Sequence, residues 1–367
     1  MKTKAYAYYF PNWHVNKFNE KWHGKGWTEW EVTKYALPRF EGHKQPKRPL
    51  WGYLDESSPL VMEKKIDAAV KYGLDGFIFD WYCYKEGIYR QDCLEKGFLQ
   101  ACNNKEMEFA VMWCNHDAIY VHPRGYYSKD PCLLKADLPE SAFREMTKYC
   151  INNYFTQCNY IRIDGKLYFS IFKLMDFVQN FGELGAKALL DEFRERVHNT
   201  GLGELHINAV DTFQDKIDTG RIIKKLSVDS VGYHGWNKPS PAAGLTINYE
   251  TLLPYNLEVF DKAKILYGID IIPSVMCGWD SSPRTVQSDT YDPYAGYPFS
   301  HVVINNTPQA FQNALAAVHK KTKENGFLNV MTIMAWNEWT EGSYLEPDEE
   351  CQYAMLEALL NFKNNCN

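Results

Sequence analysis

Eight short apolar, β-branched or aromatic runs recur along the 367 residues, each followed by a stretch of helical periodicity. That alternation limits the available folds more than any other feature. The runs are Ala5–Phe10, Gly76–Trp81, Phe109–Cys114, Leu167–Phe172, His206–Val210, Ser230–Tyr233, Ile271–Met276 and Val330–Trp336. The helical patterns cover Pro59–Tyr72, Asp92–Asn103, Pro139–Phe155, Leu184–His198, Asp215–Leu226, Glu250–Tyr267 and Pro308–Asn325, and Cys351–Lys363 follows the last run. Strict alternation implies right-handed parallel βαβ units, with helices covering the outer side of the sheet. A doubly wound open sheet alternates too, but it rarely reaches eight repeats, and no G-x-G-x-x-G follows the first run. The expected fold is therefore α/β, a single (β/α)8 TIM barrel over residues 1–367 with extended strand-to-helix loops. The stretches Pro11–Ser58 and Trp236–Asn248 read as insertions on one domain, since nothing linker-like or low in complexity interrupts the chain.

Charge and composition narrow the function. The net charge is −6, with Lys and Arg scattered, so no basic footprint for nucleic acid exists. A single anionic sugar is compatible with that balance. No run of about 18 apolar residues occurs, which predicts no transmembrane helix. Met1-Lys2-Thr3-Lys4 leads directly into the tyrosine-rich first run without a signal h-region, so the cytoplasm is the expected compartment. The ten cysteines form no CxxC pair, and buried free thiols are the expectation. No signal for an oligomeric state is present.

In a barrel of this type the active site is assembled at the C-terminal strand ends and the loops after them. The first strand leads to Trp13, His14, Trp27 and Glu29, and the second ends in Asp80, Trp81 and Tyr82. The third delivers Trp113, Asn115, His116 and Asp117, the fourth Lys173 and the fifth Asp211. The sixth supplies Tyr233, His234 and Trp236, the seventh Trp279, Asp280 and Arg284, and the eighth Trp336, Asn337, Glu338, Trp339 and Glu341. Aromatic platforms beside fixed carboxylates and amides are what a sugar site requires. Among these residues the expected substrate-binding set is Trp13, His14, Trp27, Glu29, Asp80, Trp81, Tyr82, Trp113, Asn115, Asp117, Asp211, Tyr233, Trp236, Trp279, Trp336 and Asn337.

Glycosidic cleavage needs one carboxylic acid to protonate the leaving oxygen and a second carboxylate to supply or assist a nucleophile. Glu338 and Glu341 share a cavity if the chain bends directly after Trp339, which Gly342 permits through its tolerance of positive φ. The alternative is that Glu338 alone is catalytic while Glu341 caps a helix or pairs with Arg284. A metal reading would use His14, His23, His43, His116 and Asp117, but no H-E-x-x-H or similar ligand spacing occurs; no metal and no cofactor are expected.

Trp336-Asn337-Glu338-Trp339-Thr340-Glu341-Gly342-Ser343-Tyr344-Leu345-Glu346-Pro347 resembles the N-E-W-x-E-G signature of glycoside hydrolase family 99 and the WbsX-like proteins of polysaccharide gene clusters. Lys25-Gly26-Trp27-Thr28-Glu29-Trp30, the segment Gly42-His43 with Gln45-Pro46, and Tyr72-Gly73-Leu74-Asp75-Gly76-Phe77 are similar to the WbsX-type opening. Tyr160-Ile161, with Ile163-Asp164-Gly165-Lys166, is similar to its approach to the fourth strand. The resemblance implies a (β/α)8 barrel and a retaining, endo-α-mannosidase-like hydrolase of α-linked oligo- or polysaccharides. It also implies that Glu341 is the acid/base and that Glu338 deprotonates the sugar 2-hydroxyl, so that O2 attacks C1. After the third strand, where these proteins usually place Asn-Glu-Asn-Trp, this chain has Asn115-His116-Asp117-Ala118. Two other readings follow from the same residues: a glycosyltransferase building a surface polysaccharide, and a lectin-like binder without turnover.

Overall fold

The computed structural model describes residues 3–129, 131–210, 216–238 and 244–366. Nine parallel strand segments make the central sheet: β1 (Lys4–Tyr9), β2 (Gly76–Tyr84), β3 (Glu108–Trp113), β4 (Lys166–Ile171), β5 (Leu205–Val210), β6 (Ser230–Gly232), β7 (Asp270–Ile272), β8 (Ser274–Met276) and β9 (Val330–Met334). Their order is β7-β6-β5-β4-β3-β2-β1-β9-β8. β7 and β8 are the two halves of one run, divided by Pro273. Proline has no N–H to give the ladder, so the partner changes there. β7 pairs with β6 and β8 pairs with β9, while the Pro273 carbonyl accepts from the Thr332 amide at 3.0 Å. One interrupted strand thus joins both edges of the sheet, which closes into the eight-stranded barrel that the alternation predicts.

The covering helices are α1 (Pro59–Lys71), α2 (Glu140–Cys150), α3 (Leu174–Asn199), α4 (Lys216–Lys225), α5 (Tyr249–Tyr267), α6 (Pro308–Glu324) and α7 (Ala354–Asn365). Two expectations need correction. The crossover expected as a helix over Asp92–Asn103 is a π-helical turn, Cys93–Gly97, followed by 3₁₀ turns at Phe98–Gln100 and Asn104–Glu106. Gly97 lies so close to the preceding loop that a Cβ there would stand 2.2 Å from the Glu56 carbonyl oxygen, and its backbone (φ −83°, ψ −81°) departs from the α-helical region at the junction of the two turns. The second is α3, which begins at Leu174, ten residues ahead of the expected start at Leu184, because a bend at Gly182 (φ 68°) divides it and hides the first half from a single periodic pattern.

The inner and outer faces of the barrel strands are both buried, as expected of a parallel sheet covered by helices. A second, smaller aromatic cluster lies outside this core and comprises Phe10, Trp13, Trp30, Trp339 and Tyr344. Trp339 stacks on Tyr344 at 3.8 Å and Trp13 packs on Trp30 at 4.1 Å, so the first loop is bound to the segment that follows β9. No described helix is long and apolar enough to cross a membrane.

Candidate active site

A cleft of about 720 Å³ opens at the C-terminal end of the barrel, within the size range of a ligand site. Strand parity decides which side chains reach it, because successive residues of a strand point to opposite faces. Asp80 and Tyr82 of β2 point inward, and so do Met112 and Cys114 around the end of β3. Met276, Met334 and His234 do the same at the ends of β8, β9 and β6.

After β9 the chain makes a short antiparallel bridge at Asn337–Glu338 and then a 3₁₀ turn, Trp339–Glu341. Glu338 immediately precedes this turn and Glu341 ends it, so the tight turn keeps the two carboxylates on the same side of the cleft. Gly342 ends the turn at φ 62°, and a Cβ there would lie 2.7 Å from the Asp280 side chain, so both the conformation and the space demand glycine. Both carboxylates line the cleft.

The two glutamates share one counter-ion. Arg284 donates from Nη2 to Glu338 Oε1 at 2.7 Å and from Nη1 to Glu341 Oε1. It also donates to Glu29 Oε1, from Nε at 3.0 Å and from Nη2 at 2.8 Å. The Tyr297 hydroxyl accepts from Arg284 and donates to Glu341 Oε1 at 2.7 Å. Glu29 is fully buried and accepts further from Asn12 and Thr340, with His122 Nε2 at 3.1 Å. Burial works against its charge, but Arg284 and His122 outweigh it and hold Glu29 well below the usual carboxylate range. Glu338 behaves in the opposite sense: burial and then the Glu341 charge push its pKa well above the ordinary value, and Arg284 offsets only part of this. Glu29 and Glu338, held by the same guanidinium, thus have proton affinities displaced in opposite directions.

This asymmetry predicts a pH-dependent stability difference that needs no substrate. A carboxyl whose pKa is raised on folding contributes stability that is fully present below its unfolded value and is lost as the pH climbs toward the folded one. Glu338→Gln has no such proton to release. Its unfolding midpoint, measured by thermal melting at pH 5 and pH 8, should therefore rise relative to wild type at the higher pH; an equal difference at both would count against the shift.

Of the residues expected at the site, Asp80, Tyr82, Asp117, Trp236, Trp279, Glu338 and Glu341 line the cleft. Trp81, Trp113 and Tyr233 follow inward-facing positions by one residue and point outward. Trp81 donates to the Tyr154 hydroxyl at 3.0 Å, Trp113 packs on Phe143 and Phe177, and Tyr233 packs on Phe260. Trp336 packs against Phe77 in the core, and Trp13 belongs to the smaller aromatic cluster. His14 is buried beneath the first loop, and Trp27 stacks on His23 at 4.1 Å beside the cleft wall. Asn115 and Asn337 bind backbone: Asn115 bridges the amide and carbonyl of Lys173, and Asn337 bridges those of Phe10. Glu29 holds Arg284 from behind, and Asp211 lies outside the described residues.

Arg90, Tyr84, Tyr89, His122, Lys238 and Tyr297 also line the cleft, yet none is in the expected set. Tyr84 and Tyr89 belong to the hairpin that extends β2, and the other four sit in loops beyond strand ends, where no periodic signal marks orientation. The histidines weighed for a metal do not converge. His43 contacts Asp280 Oδ2 at 2.7 Å, and no described group of three His, Cys, Asp or Glu side chains is placed to hold an ion.

The family model described as "Glycosyltransferase WbsX" matches residues 5–359. Two curated proteins of Xanthomonas campestris pathovar campestris strains, each described as "Uncharacterized protein WxcX", are 26% identical over 96% of the chain. The chain spans about half their length, 48%. Among solved structures, the GH99 endo-alpha-mannosidase from Bacteroides thetaiotaomicron superposes with a TM-score of 0.61 at 14% identity, covering 99% of this chain and 97% of that one. A glycoside hydrolase-like protein superposes at 0.60 with 15% identity, covering 98% and 94%. At such identities the likeness is one of fold.

Proposed function

We propose, for a chain that belongs to the family described as glycosyltransferase WbsX, that it is a retaining glycoside hydrolase of an α-linked oligo- or polysaccharide. The observation that carries this reading is the pair Glu338 and Glu341, at the start and the end of one short turn, lining one cleft and held by the two terminal nitrogens of Arg284. Trp236 and Trp279 line the same cleft and offer aromatic faces to sugar rings. Asp80 lines the same cleft, and its Oδ1 has no hydrogen-bond partner among the described residues.

In the proposed cycle Glu338 accepts the proton of the 2-hydroxyl while O2 attacks C1, and Glu341 gives its proton to the departing glycosidic oxygen. The C1–O bond to the leaving sugar breaks as the C1–O2 bond forms. Water then attacks C1, giving its proton to Glu341, while Glu338 returns a proton to O2 as the strained ring opens. Two inversions leave the anomeric configuration unchanged. The elevated proton affinity of Glu338 suits a group that must capture a weakly acidic hydroxyl proton.

The family description supports a second reading, transfer of a sugar to an acceptor in the same cleft. Following the anomeric proton signals of products by NMR separates the two. The hydrolase reading expects the α-anomer of a free reducing sugar to appear first from an α-linked oligosaccharide, without any nucleotide. Release of nucleotide from an activated donor, with no reducing sugar from oligosaccharides, would establish transfer instead.

A further inference from the structure

We infer that the cleft is built for a sugar bearing a carboxylate, received by Arg90; this rests on the reading of the cleft as a carbohydrate site. Arg90 follows the strand pair that extends β2 and holds φ at 65°, a left-handed conformation uncommon outside glycine, so its position is imposed by its surroundings. Its guanidinium is only 8% exposed and lines the cleft. The rings of Phe10, Tyr82 and Tyr89 surround it, with centroids at 4.9, 4.9 and 4.5 Å. Aromatic faces stabilise a cation through its plane but leave the in-plane N–H edges unused.

Among the described residues no carboxylate pairs with those edges: Arg90 forms no salt bridge, its side-chain partner is the neutral Tyr89 hydroxyl, and its Nε is buried without a hydrogen bond. Arg284 sits 5.3 Å from the same Phe10 ring and is equally buried, yet it holds three carboxylates. Two buried arginines thus share one aromatic ring, one paired with three carboxylates and the other without a salt bridge among the described residues. Of the acids nearby, Glu29, Glu338 and Glu341 are held by Arg284 and Asp117 by Lys135 at 2.5 Å, while Asp80 faces His234 at 3.8 Å and forms no salt bridge with Arg90. A desolvated charge without a counter-ion is costly, and an incoming oxyanion removes that cost. The planar fork matches a carboxylate through two parallel hydrogen bonds. Lys238 reinforces the preference from the same cleft, its Nζ lying 5.3 Å from the Trp279 ring centroid with no ion pair among the described residues.

The test is equilibrium binding of the full chain, by calorimetry, to glucuronate, galacturonate and mannuronate against glucose, galactose and mannose, with glucose 1-phosphate as a further arm. At least one uronate should bind about tenfold tighter than its neutral counterpart or better, the gain expected of a charged hydrogen bond. In Arg90→Gln that preference should disappear, and in Arg90→Lys, which keeps the charge but not the fork, it should survive in part. Melting curves verify folding, and if the glutamine variant does not fold, the wild-type comparison and the lysine variant decide. No uronate preference in wild type, or an undiminished one in Arg90→Gln, overturns the inference. Tighter binding of the sugar phosphate than of every uronate overturns the carboxylate in favour of a phosphoryl group. Because the readout is binding, uronate selectivity without any cleavage would sink the hydrolase reading and leave this one standing.

Discussion

Glu341→Gln is expected to lower kcat for a natural glycosidic substrate by about 10²–10⁴-fold, the range for losing a positioned general acid, while the protein still folds and binds sugar. Glutamine keeps the shape of the side chain and can still accept from Arg284 and Tyr297, so a fold-level effect is not anticipated. Glu338→Gln should cause a loss of similar size for a different reason, and leaving-group chemistry separates the two. An aryl glycoside whose phenolate departs without protonation should recover much of its first step in Glu341→Gln and none in Glu338→Gln. Comparing pre-steady-state rates on the two substrate types reads this directly. Near wild-type turnover in either variant would remove the paired-carboxylate mechanism.

The largest stability effect is expected at a residue that never touches the cleft. Lys65 on α1 is buried and pairs with both Glu56 and Glu346, the latter at 2.6 Å. Glu56 Oε1 also accepts from Asn337 at 2.9 Å, and Glu346 Oε2 accepts from Trp339 at 2.7 Å. One ammonium therefore anchors, through two carboxylates, the two residues that flank Glu338. Burial lifts Glu56 to about 7 even with Lys65 beside it, so the triad is only just neutralised. Lys65→Met leaves two buried acids without their counter-ion and should cost about 3–5 kcal/mol. Urea unfolding measures this, and a change below about 1 kcal/mol would show that water or protonation relieves the charges. Because the lost anchors hold the 3₁₀ turn, kcat should fall even at temperatures where the variant remains folded.

The barrel was legible because its signal is repeated eight times and each repeat is local. Alternating apolar runs and helical patterns specify parallel strands and covering helices without knowledge of any distant contact. Local pattern misled at Asp92–Asn103, where the chain packs its Gly97 directly against the Glu56 carbonyl and leaves the α-helical region there, a long-range approach that periodicity does not record. The site divides the same way. Glu338, Trp339, Glu341 and Gly342 lie within five residues, so their turn is visible in the sequence, whereas the Lys65 anchors that hold it are not. Trp81, Trp113 and Tyr233 were expected in the cleft because they end strands, but parity sends them outward once Asp80, Cys114 and His234 face in.

Sequence by itself therefore determined the closed βα architecture and placed two glutamates on its last strand-end turn, at the mouth of the cleft. These depend on periodicity and on residues within a few positions of one another. Only the tertiary structure decided that Arg284, more than fifty residues away in sequence, binds both glutamates, that Glu29 is its buried support and that Arg90 faces the cleft without a counter-ion. Such pairings depend on how long loops from different strands meet in space, and charge in a desolvated site is governed by the nearest partner rather than by the nearest neighbour in the chain.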